Sequence, residues 1–94
     1  MRSGADVSTT TTVRVAVRYF AAARAAAGTE SEDLTVPAGT TVQALVDELS
    51  SRSAELGRVL ARCSYLCDGV AVRDTTMALA NAQTLDVLPP FAGG

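Results

Sequence analysis

Histidine, lysine and tryptophan are absent from the 94 residues, and the aromatics amount to two Tyr and two Phe. Without histidine the chain lacks the commonest general base and the commonest metal ligand. So few aromatics leave little to stack on a base or a sugar. Eight arginines against ten Asp and Glu give a net charge of −2, so there is no basic footprint for nucleic acid. Two cysteines are too few for a secreted disulfide scaffold. No stretch approaches the roughly 18 apolar residues of a membrane span. Met1 to Thr12 hold one Arg and no apolar run, unlike a secretory signal. A cytoplasmic protein is expected, with neither nucleic acid nor membrane among its partners. The length allows one domain, whose small core hides roughly 60–65% of the unfolded surface. Alanine fills 17 of 94 positions; with lysine absent, this reads as a coding bias toward GC.

What remains is organised by period. Residues 1–12 read as a flexible leader, with a partner-binding arm as the alternative. Val13, Val15, Val17 and Tyr19 alternate with Arg14, Ala16 and Arg18, the pattern of a half-buried strand. Its Arg face is expected to be solvated or covered by a partner. Ala21–Ala27 predicts a short helix stopped by Gly28. A second strand lies within 30–37, with Leu34 and Val36 on one face, followed by a turn at Ala38-Gly39. Thr40 as N-cap with Gln43 fits a capping box. The stripe Val42, Leu45, Val46, Leu49 then marks the main helix. Leu56, Val59, Leu60 and Cys63 repeat that spacing and predict a further short helix. Asp68-Gly69 predicts a two-residue hairpin between strand-like runs in 64–72. Leu79 anchors a connection, and Thr84–Leu88 form a last strand that Pro89-Pro90 ends. This order implies an α+β fold: a mixed sheet with one main helix packed on one face.

Little in the chain can do chemistry. Cys63 and Cys67 lack the further ligands of a zinc site, so no metal is expected. Cys63 completes an apolar stripe and is expected to be buried; Cys67, beside the turn, is expected to be the more exposed. With no His or Lys to activate either thiol, no nucleophile is expected. Glu30, Glu32, Asp33, Asp47 and Glu48 read as solvated surface charge, and no Gly-rich phosphate loop is present.

The end of the chain stands apart. Pro89-Pro90-Phe91-Ala92-Gly93-Gly94 follows an apolar strand. Glycines have no Cβ, so they thread a channel too narrow for a side chain. The prolines hold the segment extended, and six extended residues reach at most about 20 Å. The carboxylate can therefore enter an active site on another protein.

Leu85 to Gly94 as a whole resembles the ending of the MoaD/ThiS sulfur carriers, which are ubiquitin-like β-grasp proteins. Val13 to Ala21 resembles their first strand, and Thr41-Val42-x-x-Leu45 their helix start. The resemblance covers roughly residues 13 to 94, and the Pro-Pro pair favours the small subunit of molybdopterin synthase over the thiamin carriers. It implies a β-grasp domain over 13–88 with the first and last strands as central neighbours, and an extended tail over 89–94; the leader over 1–12 has no counterpart in it. It also implies a substrate and carrier more than an enzyme. A partner adenylating enzyme uses ATP on the Gly94 carboxylate, and sulfur then replaces one oxygen. The molybdopterin synthase large subunit supplies the catalytic residues for sulfur insertion. No cofactor is expected on the chain itself. Gly94 carries the sulfur, Gly93 gives clearance, and Pro89, Pro90, Phe91 and Ala92 form the threaded stem. Leu88 and Phe91 are the apolar contacts for partners, with packing on its own sheet as the alternative for Phe91. Where the family commonly has an Asp-Gly-Asp or Asp-Gly-Glu turn before the last strand, this chain has Asn81-Ala82-Gln83. Ala82 takes positive φ less cheaply than Gly, so a different turn is expected. Three other readings stay open: a carrier for thiamin, cysteine or tRNA thiolation, a ubiquitin-like modifier, and an inert β-grasp interaction module.

Overall fold

The structure is a computed structural model that describes residues 11–90. Residues 1–10, and so most of the expected leader, lie outside the described residues. The first strand, β1 (Thr12–Tyr19), buries Val13, Val15, Val17 and Tyr19 and leaves Arg14 and Arg18 exposed. The alternation thus sorts the strand's two faces as its period predicts. The ladder begins at Thr12, opposite Pro37, and Ala38 N–H donates to the Thr11 carbonyl at 2.9 Å.

α1 (Ala21–Ala27) spans the alanine run and stops at Gly28, which takes φ 79° and donates its N–H to the Arg24 carbonyl at 2.9 Å. That left-handed residue is the usual end of a helix. β2 (Ser31–Pro37) returns antiparallel to β1. α2 (Val42–Ser50) buries Val42, Leu45, Val46 and Leu49, the predicted stripe. Its N-cap, however, is Thr41 and not Thr40: the Thr41 hydroxyl accepts from Ala44 N–H at 3.0 Å. Thr40 is occupied elsewhere, donating through Oγ1 to the Pro37 carbonyl at 2.6 Å. Gln43 does not close a capping box; its amide donates to Asp47 at 2.8 Å. α3 (Ala54–Leu60) is capped by Ser53 and buries Leu56 and Leu60.

β3 (Ser64–Cys67) and β4 (Val70–Ala71) form the hairpin, with Asp68 at φ 50° and Gly69 at φ 83°. Both central residues are left-handed, as the Asp-Gly pair requires. The connection that follows is anchored by the buried Leu79. It also serves the start of α2, because the Met77 and Thr75 carbonyls accept from Val42 and Gln43 N–H. These are donors that a helix start leaves without intrahelical partners.

β5 (Gln83–Leu88) completes the sheet, whose order is β2-β1-β5-β3-β4. β1 and β5 pair in parallel at the centre, and the other pairings are antiparallel. All three helices contribute to one buried cluster with Val15, Val17, Leu85 and Val87, so the helices cover one face of the sheet. This is the α+β, ubiquitin-like β-grasp expected from the element order. Among the described residues no helix is long and apolar enough to cross a membrane.

Candidate functional site

The site begins where β5 ends. β5 lies between two strands up to its last residues: Val87 is opposite Tyr19 on one side and Tyr65 on the other, and Leu88 is opposite Ser64. Phe20 N–H adds a bond to the Val87 carbonyl at 3.2 Å. Pro89 and Pro90 follow at once, and neither has an N–H to continue a ladder. The root of the following segment is therefore one of the two central strands of the sheet. Leu88 and Pro89 are half-buried and Pro90 is exposed. Phe91, Ala92, Gly93 and Gly94, the rest of the expected stem and its reacting end, lie outside the described residues.

The open face of the sheet at this exit holds a charged pair. Arg18 on β1 and Asp86 on β5 are register partners. The guanidinium donates from Nε at 2.6 Å and from Nη2 at 2.8 Å to the two carboxylate oxygens. Asp86 is only 6% exposed, so this fork supplies the partner that a buried carboxylate needs. The hydrogen bond and the charge of Asp86 raise the Arg18 pKa above its ordinary value. Arg18 also lies over the Phe20 ring, 5.5 Å from its centre, within cation–π reach. The Arg face of β1 was expected to be solvated or covered by a partner. Arg14 and Arg18 are both exposed, as expected, and Arg18 is in addition tied to the neighbouring strand of the same chain.

On the helix-covered side, a groove of about 750 Å³ runs beside the stem. Pro89 and Pro90 line it together with Ala22 of α1 and Val59 of α3.

The thiols are placed the opposite way from the expectation. Cys67 is 5% exposed, while Cys63 is half-buried just past the end of α3. The strand period decides it: Cys67 is opposite Leu85 and so faces the helices. Cys63, three residues beyond Leu60, is off the helix, and its thiol donates to the Val59 carbonyl at 3.2 Å. Burial pushes the Cys63 thiol up to about 11 and raises Cys67 as well, with help from Asp68. Neither is a thiolate at neutral pH, which removes the nucleophilic form. Among the described residues no group of three His, Cys, Asp or Glu is placed to hold a metal ion.

Glu32 departs from the reading of solvated surface charge. It accepts from the Tyr19 hydroxyl at 2.7 Å and from Arg52 at 2.8 and 3.0 Å, fastening the end of α2 to β1 and β2. Burial, then the hydrogen bond to Glu32, raises the Tyr19 pKa. The turn before β5 also differs from expectation. Ala82 adopts φ 68°, so the left-handed position is kept with alanine in it.

The Arg18–Asp86 pair was missed by sequence reasoning, and so was the groove beside the stem. The first and last strands were expected as central neighbours, but their parallel sense and the register that sets residue 18 against residue 86 were not legible.

A β-grasp whose last central strand ends at Pro89-Pro90, with Phe91-Ala92-Gly93-Gly94 following in the sequence, points to a class of small carrier and modifier proteins. The sequence model of the ThiS family matches residues 17–94, and the chain belongs to that family of ubiquitin-like sulfur carriers. Several solved structures are similar. The HVO 2177 protein of Haloferax volcanii is 27% identical, with 88% of each chain covered and a TM-score of 0.77. A Pyrococcus furiosus protein provisionally assigned as molybdopterin converting factor subunit 1 is 26% identical, with 84% of this chain and 99% of that one covered and a TM-score of 0.75. SAMP1 of Haloferax volcanii is 25% identical, with 86% and 99% covered and a TM-score of 0.74. No curated protein matches the chain.

Proposed function

We propose that the chain is a sulfur carrier whose reacting group is the Gly94 carboxylate, serving molybdopterin synthesis as the small subunit of molybdopterin synthase. The observation that carries this reading is the course of β5. It is held by both neighbours as far as Val87 and by β3 at Leu88, and two prolines then follow, with Gly93-Gly94 at the end of the sequence. The scaffold fixes the root of the tail, and the tail has no side chain at its last two positions.

The chemistry follows from the poor reactivity of a carboxylate. One carboxylate oxygen of Gly94 attacks the α-phosphorus of ATP on the partner enzyme, and pyrophosphate leaves. A sulfide-level sulfur nucleophile then attacks the carbonyl carbon. The bond to the AMP oxygen breaks, AMP departs, and a thiocarboxylate remains. That group is ionised at neutral pH and is a soft nucleophile. Acceptor chemistry belongs to the large subunit, because this chain brings no activated thiol and no histidine to the task. The provisional assignment of the Pyrococcus furiosus relative is as a subunit 1, a name that supposes a second subunit. The cytoplasm, where ATP and the partner enzymes are at hand, is the proposed location.

The test is activation by the cognate adenylating enzyme, followed as ATP–pyrophosphate exchange that depends on the chain. One residue added after Gly94 should abolish exchange, since the reacting carboxylate would lie beyond the adenylate. Gly94→Val should lose on the order of a hundredfold or more, because a displacement of about 1 Å from attack geometry is that costly. Undiminished exchange by the extended chain would remove Gly94 as the site.

A second reading is favoured by the likeness to SAMP1, a small archaeal modifier protein. In it, the same activated Gly94 is joined to the lysines of target proteins. Having no lysine of its own, the chain cannot extend itself through lysine linkages. Adducts at Gly94 distinguish this reading from the carrier.

A further inference from the structure

A second surface meets the root of the tail. Arg58 and Arg62 line the groove together with Pro89 and Pro90. Arg58 lies on α3 and Arg62 in the turn that follows it, where the Arg62 N–H donates to the Val59 carbonyl at 3.0 Å; both side chains border the same groove. Both are exposed. The ion pairs among the described residues are Arg18–Asp86, Arg24–Glu30 and Arg52–Glu32; Arg58 and Arg62 have none. The groove's one carboxylate, Glu55, pairs with neither. A chain of net charge −2 thus presents two unneutralised guanidinium groups next to its stem, in a groove that Ala22 and Val59 also line.

Geometry bounds where a partner sits. Six residues from Pro89 reach at most about 20 Å. A protein that holds the Gly94 carboxylate in an active site therefore brings its own surface within about 20 Å of this groove. Guanidinium groups are suited to carboxylates, which they bind in a planar fork.

We propose that this groove is a docking contact for the protein that activates the tail, and that Arg58 and Arg62 receive carboxylates from an acidic segment of that partner. Aliphatic neighbours of those carboxylates pack on Val59 and Pro89. The proposal rests on the reading of Gly94 as the reacting end. A charged contact at the rim of an interface acts on encounter and affinity more than on the chemical step, and this separates its signature from that of the tail.

The test is steady-state adenylation, read as pyrophosphate release, with the full chain as varied substrate of its adenylating enzyme at low and high salt. Arg58→Glu combined with Arg62→Glu should raise KM about tenfold and flatten or reverse the rise of KM with salt shown by the native chain. Its kcat should stay within about twofold. Arg58→Lys with Arg62→Lys, which keeps the charge, should recover most of the loss. Thermal melts of the variants should match the native chain, as both side chains are exposed. An unchanged KM, or a fall in kcat alone, overturns the groove contact and leaves the carrier reading standing. A lowered KM also overturns it, since that result follows if the groove holds the chain's own tail or a second copy. A native chain that is never adenylated overturns both.

Discussion

Ala82 shows how a single residue can keep a family's geometry without its usual chemistry. The left-handed region costs a residue with a Cβ roughly 1–2 kcal/mol, yet Ala82 sits at φ 68°. Neighbouring bonds hold it there. Ala82 N–H donates to the Arg14 carbonyl at 2.8 Å, Arg14 N–H to Asn81 Oδ1 at 2.9 Å, and Ala80 N–H to Gln83 Oε1 at 2.7 Å. Glycine at this position would remove the strain, though its freer unfolded chain returns part of the gain. Ala82→Gly should therefore stabilise the protein by about 0.5–1 kcal/mol. Urea unfolding measures this, and a lower midpoint for the variant would mean that the alanine is not strained. Arg18 and Asp86 make the converse point. Neither residue alone signals a pair, because Arg18 reads as an outward strand residue and Asp86 as a charge amid an apolar run. Only the parallel register of β1 and β5 puts them face to face.

Among the elements, α2 depends most on a single local choice. Its first turn is satisfied by the Thr41 hydroxyl, and the connection ending at Leu79 supplies Met77 and Thr75 carbonyls to the next donors. Thr41→Ala should cost about 1 kcal/mol, the usual worth of a threonine cap. Thr40→Ala should cost less, since its exposed hydroxyl bond to Pro37 is not a cap. Equal losses, or the reverse order, in paired denaturation curves would contradict the assignment. Sequence pattern placed α2 correctly and its cap one residue early. The reason is physical: both threonines satisfy the spacing rule, and the choice falls to the backbone bond from Leu79 N–H to the Thr40 carbonyl, a tertiary contact. β1 and α2 were legible because their periods are unbroken, and α1 from its alanine run and the stop at Gly28. The thiols were not, because Cys63 has helical spacing from Val59 but lies after the helix has ended. Of the candidate site, the end of the last strand at Pro89-Pro90 was legible. The groove was not, since it arises where α1, α3 and the end of β5 converge.

For the molecule as a whole, the missing histidine and the buried acids set the response to pH. No side chain has an ordinary pKa between those of the carboxylates and the thiols. Cys63 is pushed up to about 11 and Tyr65 to about 12, both chiefly by burial, and Cys67 and Tyr19 are raised too. These groups keep their protons in the folded state after the unfolded chain has released them. The folded form then binds more protons, so stability falls as pH rises. Their contribution is fully present at neutral pH and is lost from about pH 9 upward. Urea midpoints should be nearly flat from about pH 6 to 8 and decline above 9; a rise in that upper range would be incompatible with buried thiols and phenols. On the proposed function the molecule is a root for a short reacting end, and that proposal reduces to what happens at one carbon atom. The most direct measurement is the mass of the C-terminal peptide from protein isolated from its native cell. The account predicts a population heavier by the difference of one sulfur for one oxygen, localised to Gly94. A C-terminus found only as the free carboxylate, or only joined to the lysines of other proteins, would contradict it.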